Sequence, residues 1–207
     1  MRELLYVADP MCSWCWGFSP VLARLREAYA GRLRFTLVLG GLRAETTQPL
    51  NDAMKGYILE HWRHVHARTG QPFDFAFDVP KGFVYNTEPT CRAVASVRAL
   101  RFEATFPYLA AVQRAFYVDN ADTTQAEVLA GLAADSGVDR GAFLKHFDAD
   151  EARRATRLDF HLARRLGVSG FPSLVLNDRR GFALRSAGYR DFEELAPPLE
   201  AWLDPAA

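Results

Sequence analysis

Cys12-Ser13-Trp14-Cys15 is the stretch of this chain whose residue types and spacing carry chemistry. Two cysteines three apart can close into a small disulfide ring and reopen, which is how a redox thiol pair works. One further cysteine, Cys91, exists in the 207 residues. Half of a zinc site would need two more ligands at suitable spacing, but there is no second C-x-x-C and no His near the pair in sequence. A static staple gains little, because so short a loop hardly restrains the unfolded chain. Two unrelated core cysteines are the weaker account, given the junction at which the pair lies.

That junction is read from the flanks. Leu4-Leu5-Tyr6-Val7 is a short apolar run that suits a buried strand, and Val21, Leu22, Leu25, Ala28 and Tyr29 recur at helical spacing. The pair thus falls where a strand hands over to a helix. Cys12 is placed at the helix N-terminus, where unpaired backbone N–H groups and the positive end of the dipole stabilise a thiolate. Cys15, about a turn further in, is the more buried and less reactive thiol. Cys12 then attacks a substrate disulfide and Cys15 resolves the mixed disulfide. Ser13 and Trp14 lie between the sulfurs and tune them. Pro20 predicts a kink or a break in this helix.

Composition narrows the function classes. Lys+Arg and Asp+Glu both number 25, so formal net charge is zero and nothing global points to nucleic acid or an anionic membrane. Hydrophobic residues make up 49% of the chain, enough for a sizeable core. No apolar run approaches a membrane span, and the first residues run straight into the cysteine pair without room for a secretory signal. Three cysteines do not make a secreted disulfide framework, so the expected location is the cytoplasm.

Further along, Leu33–Leu39 reads as a second strand ended by Gly40-Gly41. Residues 50–166 are mostly helical by pattern, with Thr124 and Glu127 spaced as a capping box and Ala155, Leu158, Leu162 and Leu166 on one apolar stripe. Ser173–Leu176 and Phe182–Ser186 read as a hairpin around a turn at residues 177–181. Phe192, Leu195, Leu199 and Trp202 form a last amphipathic helix, and Pro205 marks a frayed edge.

This order, βαβ, a helical block, then ββα, matches an α/β thioredoxin-like fold with a large helical domain inserted between its halves. The expected divisions are 1–49, 50–166 and 167–207. The chain resembles the DsbA-like thiol–disulfide oxidoreductases, and within them the FrnE-like group of predicted protein-disulfide isomerases. The resemblance rests on the segments Asp9–Gly17, Asn86–Ala93 and Gly167–Leu174. It implies a cis Pro172 facing the redox pair, with the backbone of Phe171 exposed to an extended substrate and its ring beside Cys12. It also implies protein or peptide thiols and disulfides as partners, with glutathione or a partner reductase as co-substrate and no cofactor beyond the redox-active pair. Related glutathione transferases and hydroxychromene-carboxylate isomerases share the layout, but carry serine at the Cys12 position and lack the second cysteine. A non-catalytic peptide-binding module is a third reading.

The remaining candidates have plainer readings beside them. Asn86 and Asp9 are candidate site-ordering residues, with turn or capping roles as the alternative. Cys91 is a candidate third redox thiol, although free cysteines are more often small buried hydrophobes. His61, His64 and His66 read as a solvated helix face, not a metal site, and so do Arg153, Arg154, Arg157, Arg164 and Arg165.

Overall fold

The computed structural model describes residues 2–179 and 181–204. Arg180 of the expected turn and the expected frayed edge at Pro205 lie outside them. The elements run β1 (Arg2–Ala8), α1 (Ser13–Ala28), β2 (Leu33–Leu39), α2 (Asp52–Thr69), α3 (Glu88–Leu100), α4 (Thr105–Tyr117), α5 (Ala126–Asp135), α6 (Arg140–Phe147), α7 (Asp150–Arg165), β3 (Ser173–Asp178), β4 (Gly181–Ala187) and α8 (Phe192–Leu203). A short 3-10 turn, Phe102–Ala104, precedes α4. The six helices α2–α7 thus separate a βαβ half from a ββα half, as the sequence pattern predicts.

The strands form one sheet in the order β2-β1-β3-β4. β1 runs parallel to β2, with Tyr6 opposite Leu37, and antiparallel to β3, with Tyr6 opposite Leu174. As an inner strand β1 is covered on both faces, which is why its sequence is continuously apolar. Leu4, Tyr6 and Ala8 pack on one face with Cys15, Phe18 and Leu22 of α1 and with Leu195 and Leu199 of α8. Leu5 and Val7 pack on the other with Val38, Val175, Val168 and Ala163 of α7. The last helix of the insertion therefore serves the sheet.

A second core is aromatic. Trp62 of α2 meets the rings of Phe77, Tyr117 and Phe116 at 4.5, 5.1 and 5.9 Å between centroids. These contacts hold residues 70–87, which are not helical, in contrast to the pattern-based expectation. Pro72, Pro80 and Gly82 interrupt that stretch, Phe77 takes a positive φ of 41°, and its structure comes from rings filling one core instead of from local propensity.

Three local expectations are corrected. Helix α1 runs unbroken through Pro20; the carbonyl that a residue-20 amide would have bonded, that of Trp16, accepts instead from Gln71 Nε2 at 3.0 Å. Thr124 does not cap α5, whose N-cap is Gln125; its hydroxyl donates to Asp122 Oδ1 at 2.5 Å. The buried face of α7 is Ala152, Thr156, Phe160 and Ala163, with Leu158 68% exposed, because the small residues let the helix approach β2 and α3.

The three loops at the C-terminal end of β1 and β2 meet on one carboxylate. Asp9 opens a turn closed by Cys12 N–H donating to its carbonyl at 3.1 Å, with Pro10 second, a sequence suited to a turn. Its Oδ1 accepts from Met11 N–H at 2.9 Å and its Oδ2 from Leu42 N–H at 2.7 Å. The Cys91 thiol donates to Oδ2 at 3.5 Å, and Thr87 adds a side-chain hydrogen bond. Asp9 is fully buried, and burial pushes its carboxyl above the ordinary value despite these donors. A carboxyl raised on folding binds its proton more tightly in the native state, so its contribution is complete at acid pH and is lost as pH rises. The stability difference between wild type and Asp9→Asn should therefore move against the wild type as pH rises past the ordinary carboxyl range, by at most about 1.4 kcal/mol per pH unit. Urea unfolding of both proteins across that window checks the sign; a pH-independent difference would refute it.

Candidate active site

Cys12 is the N-cap residue of α1, with extended backbone (φ −91°, ψ 117°), and its carbonyl accepts from Cys15 N–H at 2.9 Å and Trp16 N–H at 3.1 Å. No side chain caps this terminus and no acidic residue occupies its first turn. The first amides of the helix are thus left without a side-chain partner beside Cys12. Cys12 is 6% exposed and lines a cleft, whereas Cys15 is sealed at 0%. Burial first, and the hydrogen bond with Cys12 second, push the Cys15 thiol well above its ordinary value. Both are free thiols, as is Cys91. The arrangement gives one accessible sulfur and one buried sulfur in contact with it.

The opposite wall is Phe171-Pro172, whose peptide bond is cis. The Cys12 thiol donates to the Phe171 carbonyl at 3.7 Å. Phe171 is seated by Gly40, just past the end of β2; a Cβ there would overlap its ring. Trp14 packs on Tyr189 at 6.0 Å. With Phe171 it separates two depressions, one of about 320 Å³ reaching Arg68 and Tyr189 and one of about 610 Å³ that contains Cys12. The larger is walled by Leu42, Tyr57, Ile58 and Trp62, with Arg43 and His61 among its polar members.

Other expected residues take different places. Ser13 is the first residue of α1 and lines the larger cleft. Asn86 accepts from Glu88 N–H at 2.9 Å at the start of α3 and lines a separate cavity; its neighbour Thr87 reaches the site, accepting from Arg43 N–H at 3.1 Å. Cys91 lies sealed behind Asp9, its thiol pushed well up by burial. His64 and His66 are exposed, but His61, expected on a solvated face, lines the cleft with Nδ1 buried and unpartnered. Among the described residues no His, Cys, Asp or Glu cluster could hold a metal ion, and no helix is long and apolar enough to cross a membrane.

Two residues at the sulfurs escape sequence reasoning. The hydroxyl of Tyr6 is buried without a hydrogen-bond partner in the neighbourhood of Cys15 and Cys12, and burial pushes it well above its ordinary value. Its only signal is a hydroxyl within an apolar strand. Tyr85 donates to the Met11 carbonyl at 2.7 Å, fixing the residue before Cys12; nothing local marks it.

Comparison with known proteins places this geometry. The family model described as thioredoxin matches residues 5–196. A Nitrosomonas europaea protein, solved under a provisional designation as a protein disulfide isomerase, is 43% identical with a TM-score of 0.93, covering 100% of this chain and 99% of that one. The cytosolic disulfide reductase DsbM of Pseudomonas aeruginosa is 30% identical with a TM-score of 0.81, covering 99% and 100%. Its structure with GSH gives 29% and 0.79, covering 97% and 98%. Among curated proteins, the ClpXP adapter protein SpxH of Bacillus subtilis is 26% identical over 98% of this chain and 73% of its own length. The chain belongs to the thioredoxin family, in the DsbA-like branch that carries helices between the two halves of the fold.

Proposed function

We propose that the chain is a thiol–disulfide oxidoreductase acting on protein or peptide disulfides through Cys12 and Cys15, working in the cytoplasm. The observation that carries this reading is the asymmetry of the pair: Cys12 at an uncapped helix N-terminus on the cleft, Cys15 sealed one turn behind and in contact with it. The Cys12 thiolate attacks one sulfur of the substrate disulfide; that S–S bond breaks, one substrate thiolate leaves, and a mixed disulfide forms on Cys12. Cys15 then gives up its proton and attacks Cys12 Sγ, releasing the second substrate thiolate and leaving a Cys12–Cys15 disulfide. Two electrons have passed to the substrate, and an external thiol, glutathione or a partner reductase, restores the pair. In this reading the Tyr6 hydroxyl turns to the Cys15 sulfur as charge develops on it, and the backbone of Phe171 pairs with an extended substrate. The cytosolic DsbM relative and its GSH complex support the location and the co-substrate.

Insulin reduction driven by an excess of small thiol tests this. Wild type should turn over, and Cys12→Ser should lose at least about a hundredfold in rate. Cys15→Ser should accumulate a mixed disulfide on Cys12 visible by mass. Equal rates in wild type and Cys12→Ser would overturn the reading.

The likeness to the SpxH adapters favours a second reading, a peptide-binding module whose thiols do not turn over. It predicts suppression of client aggregation that is the same in wild type and a Cys12→Ser/Cys15→Ser double variant; loss of suppression in the double variant would exclude it.

The seat of Phe171 supplies a further check. Gly40→Ala must displace the ring and with it the carbonyl that accepts from Cys12. It should lower kcat/KM for insulin roughly tenfold to a hundredfold and change the rate at which iodoacetamide alkylates Cys12. Unchanged values for both would show that the seat does not matter.

A further inference from the structure

We infer that Arg43 forms a carboxylate-binding end of the Cys12 cleft, and that the small thiol this cleft accepts is an anionic peptide thiol of the glutathione class. The inference rests on the oxidoreductase reading and deepens it.

The cleft has a sign, although the whole chain carries zero formal net charge. Among the described residues lining it there is no Asp or Glu, while Arg43 contributes a full positive charge. That guanidinium is held without help from any carboxylate among the described residues. It lies over the Tyr85 ring at 5.4 Å and donates from Nη2 to Met54 Sδ at 3.6 Å, while its backbone amide is anchored on Thr87. An arginine offers five N–H donors in a planar fork suited to a carboxylate, and sulfur and a ring face leave most of them unused. His61 stands on the same wall, its ring held by Tyr57 at 4.4 Å. The nearest buried carboxyl, Asp9, is fully occupied by the loop amides, Thr87 and Cys91. The volume of about 610 Å³ lies in the range of clefts that hold small ligands, about 300–1,000 Å³. The nucleophile lines the same cavity as the cation, so a ligand needs a sulfur and a carboxylate within one small peptide.

The reaction balances as follows. The ligand thiolate attacks Cys12 Sγ of the oxidised pair, the Cys12–Cys15 bond breaks, and Cys15 leaves and takes up a proton. A second ligand thiolate attacks the ligand sulfur of the mixed disulfide and releases the Cys12 thiolate. Two thiols become one disulfide, and the protein gains two electrons.

The test is the second-order rate constant for reducing the oxidised protein, followed by fluorescence of the tryptophans flanking Cys15, with glutathione, glutathione diethyl ester and neutral 2-mercaptoethanol, each corrected for its thiolate fraction. Wild type should favour glutathione over the ester about tenfold, and added salt should shrink the preference. Arg43→Gln should cut the glutathione-to-mercaptoethanol ratio about tenfold, with Arg43→Lys between. A wild type that reacts with 2-mercaptoethanol but equally well with glutathione and its ester overturns this inference and leaves the oxidoreductase reading standing. Equal loss with all three thiols in Arg43→Gln also overturns it, since the residue would then be merely structural. If no reducible Cys12–Cys15 disulfide forms at all, both readings fall. The wild-type comparison needs no variant, so the inference stays open to refutation even if Arg43 variants fail to fold.

Discussion

The site depends on one buried carboxylate. Asp9 takes the amides of Met11 and Leu42, the thiol of Cys91 and the hydroxyl of Thr87. Those partners belong to the β1–α1 loop, the segment after β2 and the start of α3. A fully buried acid is unfavourable unless its lone pairs are filled, so the three segments are constrained to arrive at one point. Cys12 is three residues from that point in sequence, and Arg43 is tied to it through Thr87. The geometry of the cleft is therefore a consequence of satisfying Asp9, and the cysteine pair inherits its position from that buried carboxyl.

The same burial separates the two sulfurs. Cys12 sits where open helix amides face the cleft, and Cys15 sits inside the core with Tyr6 and Phe18. Desolvation penalises a thiolate at Cys15. The two sulfurs, one turn apart, therefore differ in access: Cys12 lines the cleft and Cys15 is sealed. Tyr6 stacks on Phe18 at 5.7 Å, so its hydroxyl is presented to the sulfurs by a rigid strand and a packed ring.

Much of this frame is legible in the residues. β2 occupies the same span, Leu33–Leu39, that its apolar run marks, and β1 reads as buried because it is covered on both faces. The cysteine pair and Phe171-Pro172 declare themselves by type and spacing. What is not legible depends on tertiary contact. The face of α7 is misjudged because Leu158 looks like core while Ala152, Thr156 and Ala163, which face the interior, carry little hydrophobic signal. Thr124 finds Asp122 as a closer partner than the helix start it resembles a cap for. His61 looks like a member of a solvated trio, yet its neighbours Ile58 and Trp62 turn it into the cleft. Arg43 has no local signature whatever; its meaning comes from Tyr85, more than forty residues away.

The division of labour between the halves of the fold and the inserted helices follows from where each wall originates. The βαβ and ββα halves supply the sulfurs, the helix terminus and the Phe171 backbone, all fixed by sheet pairing. The insertion supplies Tyr57, Ile58, His61 and Trp62 from a single helix, α2. That helix is held by an aromatic core of its own, separate from the sheet's. Residues on such a wall can change without altering the registers that place Cys12 against Phe171. The sheet halves thus fix Cys12 against Phe171 and carry Arg43 just after β2, while α2 closes the cleft from the insertion.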